Sequence, residues 1–235
     1  MRQIICLSGW GQSSNSLEIT LSDDIKKSYN VVSLDYLKFP SFNHFVASIK
    51  INFDPIAIIG WSLGGQLALR LCELKIFDPQ ILFLIAPPFQ MVKDEKIQAG
   101  MSLKVYHEFY NNLQIARSAT LKKFAILSIM NDKNRNEIIA NINSDDLQDT
   151  HLVYWLEELK KFSCFDVDFV KIPPCRFFIG NGDMIVHPSQ VQYFKDRIID
   201  CEINYFANCG HAPHLNDNQR FNKIIIDELN KIIEI

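Results

Sequence analysis

Residues 56–74 constrain what this chain can fold into more than any other stretch. Ile56-Ala57-Ile58-Ile59 is an apolar run, Gly60-Trp61-Ser62-Leu63-Gly64-Gly65 follows at once, and Gln66 to Leu74 then places Leu67, Ala68, Leu71 and Leu74 at helical spacing. A strand that passes into a helix through so few residues must turn very sharply. Gly60, Ser62 and Gly64 fit G-x-S-x-G, a turn whose small neighbours let strand and helix pack side by side and lift the serine hydroxyl above the sheet. Gly65 lets the helix begin beside the strand, and the helix N-terminus favours negative charge developing near the hydroxyl. The pattern alone is short. The strand before it and the helix after it give it weight.

The rest of the chain supports the same kind of frame. Ile4–Leu7, Val31–Leu34, Ile56–Ile59, Ile81–Ile85, Arg176–Ile179 and Ile203–Phe206 read as buried strands. Helical patterns lie between several of them, which predicts an α/β fold: a mostly parallel sheet of about six strands with helices on both faces. The alternation stops between Phe89 and Lys161. Met101–Leu113 and Thr120–Met130 read as helices, with breaks at Asn131–Asn136 and Asn141–Asp146. Roughly 70 residues are too many for one crossover. The expected division is a core made of residues 1–88 and 162–235, with a helical lid at 89–161.

Composition excludes several classes of function. Of 235 residues, 48% are hydrophobic and 22% charged, enough apolar surface for one folded domain. The net charge of −3 gives no general affinity for nucleic acid. No apolar run reaches the length of a membrane span, and Met1–Leu7 reads as a strand rather than a signal-peptide core. The six cysteines form no C-x-x-C pair, so a zinc site lacks its spacing and a reducing cytoplasm is the expected compartment.

A nucleophilic serine needs a general base, held in the right tautomer by a carboxylate. On an α/β frame with this turn, the order along the chain is serine, acid, histidine. His44, His107 and His151 come too early, which leaves His187, His211 and His214. His211 follows the last strand in Asn208-Cys209-Gly210-His211-Ala212-Pro213-His214, a loop that can bring an imidazole over the turn; His214 is its nearest rival, and His187 reads as a rim residue. Asp183, after Gly180-Asn181-Gly182 at the carboxyl end of a strand, is the first choice for the acid, with Asp166 and Asp168 as competitors. An oxyanion needs two backbone N–H donors. Leu63 is the natural first, and Trp10, within Ser8-Gly9-Trp10-Gly11, is the candidate second. The Trp10 indole is either a wall of the acyl pocket or a core aromatic.

Together these residues resemble the α/β-hydrolase superfamily. Within it they are similar to the biotin-synthesis carboxylesterases that act on pimeloyl-[acyl-carrier-protein] methyl ester. Gly9-Trp10-Gly11, Gly60 to Gly65, Asp183-Met184-Ile185-Val186 with Pro188, Gly210-His211-Ala212-Pro213 and Phe221 carry the resemblance. It implies an α/β-hydrolase fold, a Ser62–Asp183–His211 triad and a substrate-lining stretch of Phe124, Ala125, Ile126, Leu127 and Ser128. Ser8 stands where the family usually has histidine.

The resemblance also implies an acyl carrier protein as partner; a monomer with no metal or organic cofactor is the further expectation. That carrier is acidic. Residues 91–135 hold eight basic and four acidic side chains, and Lys122 and Lys123 are the expected docking contacts. Two other readings share the motifs. One is a general short-chain carboxylesterase or carbon–carbon bond hydrolase, and the other is a non-catalytic hydrolase-fold binding protein. An acyltransferase or haloperoxidase-like activity also fits the residues.

Overall fold

All six apolar runs form strands. In the structure, a computed structural model that describes residues 1–50, 54–133, 135–139 and 151–233, they are β1 (Gln3–Leu7), β2 (Asn30–Ser33), β3 (Ala57–Trp61), β4 (Ile81–Ile85), β5 (Cys175–Gly180) and β6 (Cys201–Phe206). They build one sheet in the order β2-β1-β3-β4-β5-β6, and every neighbouring pair is parallel. After β1 the chain builds outward to β2, then returns to place β3 on the other side. Such a reversal opens a crevice at the carboxyl ends of the strands.

Helices α1 (Asp23–Ser28) and α2 (Phe42–Ser48) precede β3, and α3 (Leu63–Glu73) leaves it directly. Between β4 and β5 lie α4 (Leu103–Ile115), α5 (Arg117–Ser128), α6 (Arg135–Ile139) and α7 (Leu152–Lys161). Helix α8 (Val191–Lys195) joins β5 to β6; α9 (Pro213–Asn216) and α10 (Asn218–Ile233) follow β6. Serines cap several of these, as Ser22, Ser41 and Ser102 accept from the N–H of Ile25, His44 and Val105.

Alternation along the strands divides the core into two layers. Ile5, Leu7, Ile58, Leu82, Leu84 and Phe177 face α2, α3 and α8. Ile4, Cys6, Ile59, Phe83, Ile85 and Phe178 face α1 and α10. From the sequence all six strands read as buried. β2 and β6 differ, because they close the two edges of the sheet and are only partly covered. Leu74, placed on the apolar stripe of α3, is exposed because the helix ends at Glu73 and the chain turns away.

The segment between β4 and β5 leaves and rejoins the core at one place. Gln90 bridges Ser163, the Ser163 hydroxyl donates to Gln90 Oε1, and Cys164 N donates to Phe89 O. Gln190, after β5, accepts from the N–H of Phe89 and Gln90 and donates to the carbonyls of Gln90 and Ala99. Within the predicted break at Asn131–Asn136, Asn131 and Lys133 are turn residues, and α6 starts at Arg135. The one at Asn141–Asp146 lies outside the described residues. No helix among the described residues is long and apolar enough to cross a membrane.

Three backbones meet at the turn after β3. A Cβ on Gly64 would lie 2.0 Å from the carbonyl oxygen of Leu7, and one on Gly60 would lie 2.7 Å from Gly65 Cα. Backbone on both sides leaves nothing free to yield. Gly64→Ala is therefore expected to cost ~3 kcal/mol or more, lowering the thermal midpoint by roughly 6–12 °C. Calorimetry against the wild type checks this.

Candidate active site

Four loops converge at the carboxyl edge of the sheet, after β1, β3, β5 and β6. Ser62 sits between β3 and α3 with φ 54° and ψ −116°. A non-glycine residue pays ~1–3 kcal/mol for such a conformation, and the surroundings must hold it there. They do: Ser62 N donates to Ile85 O on β4, while Ser62 O accepts from Gly65 N and Gln66 N. As the first helical residue, Leu63 has an N–H with no acceptor inside the helix. The loop after β1 presses on the same turn, since a Cβ on Gly9 would lie 3.6 Å from Ser62 Cβ.

Asp183 is buried, and its two oxygens have separate duties. Oδ1 accepts from the N–H of Ile185 and Val186 at 2.8 and 3.0 Å, and Oδ2 meets His211 Nδ1 at 2.7 Å. The acid loop is thereby wrapped around its own carboxylate, leaving one oxygen to orient the imidazole. The other ring nitrogen, His211 Nε2, is buried with no hydrogen-bond partner among the described residues. No hydrogen bond joins it to the Ser62 hydroxyl.

His211 is held from three sides through its backbone. Its N–H donates to Ser128 O at 2.7 Å, its carbonyl accepts from Trp61 Nε1 at 2.9 Å, and the preceding Gly210 N–H donates to Asp132 Oδ1 at 2.6 Å. The Trp61 side chain, adjacent to the serine, therefore fastens the histidine loop to the turn. Gly180 lets that loop pass, for a Cβ there would lie 1.9 Å from Gly210 O.

Other predicted residues separate. Trp10 is buried against Phe109 and Phe124, and its indole donates to Leu152 O, so the side chain belongs to the core while its backbone stays in the loop beside Ser62. Phe124, Ala125, Ile126, Leu127 and Ser128 are consecutive on α5 and cannot share one face. Phe124 packs on Trp10, Ala125 and Ser128 are buried, Leu127 is half-buried and Ile126 is exposed. Lys122 and Lys123 are exposed on the same helix. Ser8, in place of the family's histidine, donates to Ser14 O and accepts from the Ser16 hydroxyl; its carbonyl accepts from Tyr36. Asp168 pairs with Lys171 on a separate turn, and Asp166 ends a short helix beside it. His187 is exposed and caps the turn at Ser189. No group of three or more His, Cys, Asp or Glu among the described residues is placed to hold a metal ion.

The model of the Alpha/beta hydrolase family matches residues 4–224. The chain belongs to this family. It is 25% identical over 173 residues to the pimeloyl-[acyl-carrier protein] methyl ester esterase of Nitrosospira multiformis, an alignment that takes in 70% of this chain and 64% of that protein. The esterase of the same name from Wigglesworthia glossinidia brevipalpis is 24% identical, with 94% of this chain and 91% of that one covered. Among solved structures, an esterase from Exiguobacterium antarcticum superimposes with a TM-score of 0.83 at 15% identity, covering 98% of this chain and 92% of that one. The fold of this α/β hydrolase is thus one that ester hydrolases share.

His214 was the rival for the base, and its surroundings are quite different from those of His211. It is buried between Trp61 and Phe221, and neither ring nitrogen has a partner among the described residues. Burial, helped by the neighbouring His211, pushes its pKa down to about 3. A depressed histidine pKa favours the neutral ring in the folded state, so stability falls as pH drops below the unfolded value of ~6.5. Between pH 7 and 4.5 this one ring is expected to cost roughly 2 kcal/mol. His214→Phe should remove that part of the slope, as read from urea midpoints at both pH values.

Proposed function

We propose that this α/β hydrolase is a serine carboxylesterase, with Ser62 as nucleophile, His211 as general base and Asp183 as the residue that orients it. The observation that carries the reading is the Asp183 Oδ2 contact to His211 Nδ1, which leaves Nε2 as the unbonded, buried nitrogen in a loop fastened to the residue before Ser62. Ser62 Oγ attacks the ester carbonyl as His211 Nε2 takes its proton. The N–H groups of Leu63 and Trp10 receive the negative charge on the carbonyl oxygen. His211 then protonates the leaving alcohol. Water, deprotonated by the same nitrogen, releases the acid from the acyl-enzyme.

The finer reading concerns the substrate. Relatives named for pimeloyl-[acyl-carrier protein] methyl ester, at about one-quarter identity, support that ester as the substrate, with methanol leaving and a free carboxylate produced for biotin synthesis. The helices between β4 and β5 serve in this proposal as a lid. Phe124 on α5, against Trp10, lines the acyl side, and the exposed Lys122 and Lys123 meet the acidic carrier. A general carboxylesterase acting on free short esters is the second reading, favoured by the fold shared with the Exiguobacterium enzyme.

Ser62→Ala is expected to lower ester hydrolysis at least ~10⁴-fold with an unchanged thermal midpoint, and to lose labelling by a fluorophosphonate. Retained turnover would remove Ser62 from its role. Lys122→Glu together with Lys123→Glu should raise KM for the carrier-bound methyl ester roughly 3–10-fold while leaving KM for free p-nitrophenyl butyrate unchanged. Equal effects on both substrates would favour the general esterase, as would failure of the wild-type chain to restore growth of a biotin auxotroph lacking this activity.

A further inference from the structure

Asp132 is a buried carboxylate that the proposed chemistry does not use. It follows α5, and its own N–H donates to Ile129 O to close the turn. Oδ1 accepts twice, from Gly210 N at 2.6 Å and from Asn216 Nδ2 at 2.9 Å; Oδ2 is buried with no hydrogen-bond partner among the described residues. Burial raises its pKa above the usual carboxylate range, against the bonds from Gly210 and Asn216, and the nearby Asp183 raises it further.

What it holds is the loop of His211. The neighbours of Asp132 act on the same region: Ser128 O takes the His211 N–H, and Asn131 Nδ2 donates to Gly182 O on the acid loop at 2.7 Å. Three residues at and just after the end of α5, Ser128, Asn131 and Asp132, thus grip both loops from which the Asp183–His211 pair is built. Cβ atoms would be blocked at both grips, since one on Gly210 would lie 2.5 Å from Ser128 O and one on Gly182 would lie 2.8 Å from Asn131 Cβ. Of the gripping groups, only Asp132 binds through a carboxylate, and it alone also ties in α9 through Asn216.

We propose that Asp132 is a positioning residue for the esterase reaction: its Oδ1, by accepting from Gly210 N–H and Asn216, sets the backbone of His211 so that the imidazole meets Asp183 and Ser62 together. It touches neither substrate nor the reacting atoms. The inference rests on the serine esterase reading for its kinetic consequence, but not for its geometric one.

The test compares Asp132→Ala, Asp132→Asn and Asp132→Glu with wild type and Ser62→Ala in the full chain. Asparagine keeps an acceptor oxygen at the same reach. Glutamate keeps the charge and moves the oxygen by one methylene. Displacing a catalytic group by about 1 Å can cost ~10²-fold, so kcat for p-nitrophenyl butyrate should fall ~10–100-fold in the alanine and glutamate variants, with KM within about twofold. Asparagine should stay within about threefold of the wild-type kcat. The low-field proton resonance of the His211 Nδ1–H reports the same placement without turnover. It should persist in wild type, Asp132→Asn and Ser62→Ala, and vanish or broaden in Asp132→Ala and Asp132→Glu. Should the alanine variant not fold, the order of asparagine over glutamate decides. Wild-type kcat and resonance in Asp132→Glu would overturn the proposal, as would equal losses in asparagine and glutamate. Turnover by Ser62→Ala would overturn the esterase reading instead, and the proton resonance would still decide Asp132.

Discussion

The close approach of β1, β3 and α3 at Gly60 and Gly64 is the contact on which the rest of the site depends. Only at that spacing can the chain turn from strand to helix within one residue, and that residue is Ser62, at positive φ. The turn is strained, so it must be held by its neighbours. Ile85 O, the α3 N–H groups and the loop after β1 do this from three directions. A parallel sheet is suited to the task because the carboxyl ends of adjacent strands lie side by side, so loops from distant parts of the chain arrive at one edge.

The helices between β4 and β5 do not stand apart from the candidate site. They enter and leave the core at one hydrogen-bonded point, around Phe89, Gln90 and Ser163, yet the end of α5 reaches across to bind the loops of Asp183 and His211. Trp10 joins the two parts as well, with its indole bonded to Leu152 at the start of α7. The position of the helices and the position of the histidine are therefore coupled. A partner that bound the exposed face of α5 would be acting on the element that fastens the His211 loop.

The sequence puts His211 ahead of His214, three residues further on, and the difference between them is environmental. His211 meets a carboxylate that is itself satisfied by backbone N–H groups. His214 meets Trp61 and Phe221 and stays neutral. Both lie in a loop whose residue types permit either role. The five-residue stretch of α5, apolar except for Ser128, reads as one lining segment, while the helix distributes its residues between the Trp10 cluster, the second core layer and solvent.

Local pattern was sufficient wherever the physics is local. The six strands, the sharp turn at Ser62, and helices α4 and α5 could be read directly, because apolar runs, helical spacings and glycine turns act over a few residues. Burial at the sheet edges, the commitment of the Trp10 indole to Leu152, the Gln190 anchor and the Asp132 grip could not. Each depends on partners far away in the chain, 142 residues for Trp10 and 78 for Asp132. Asp132 looked like one acid in a basic stretch, and nothing beside it in the sequence marks it as buried. The sequence determined which residues could do the chemistry. Tertiary structure alone decided which backbone groups and carboxylates hold them in register, because long-range hydrogen bonds leave no periodic trace in the chain.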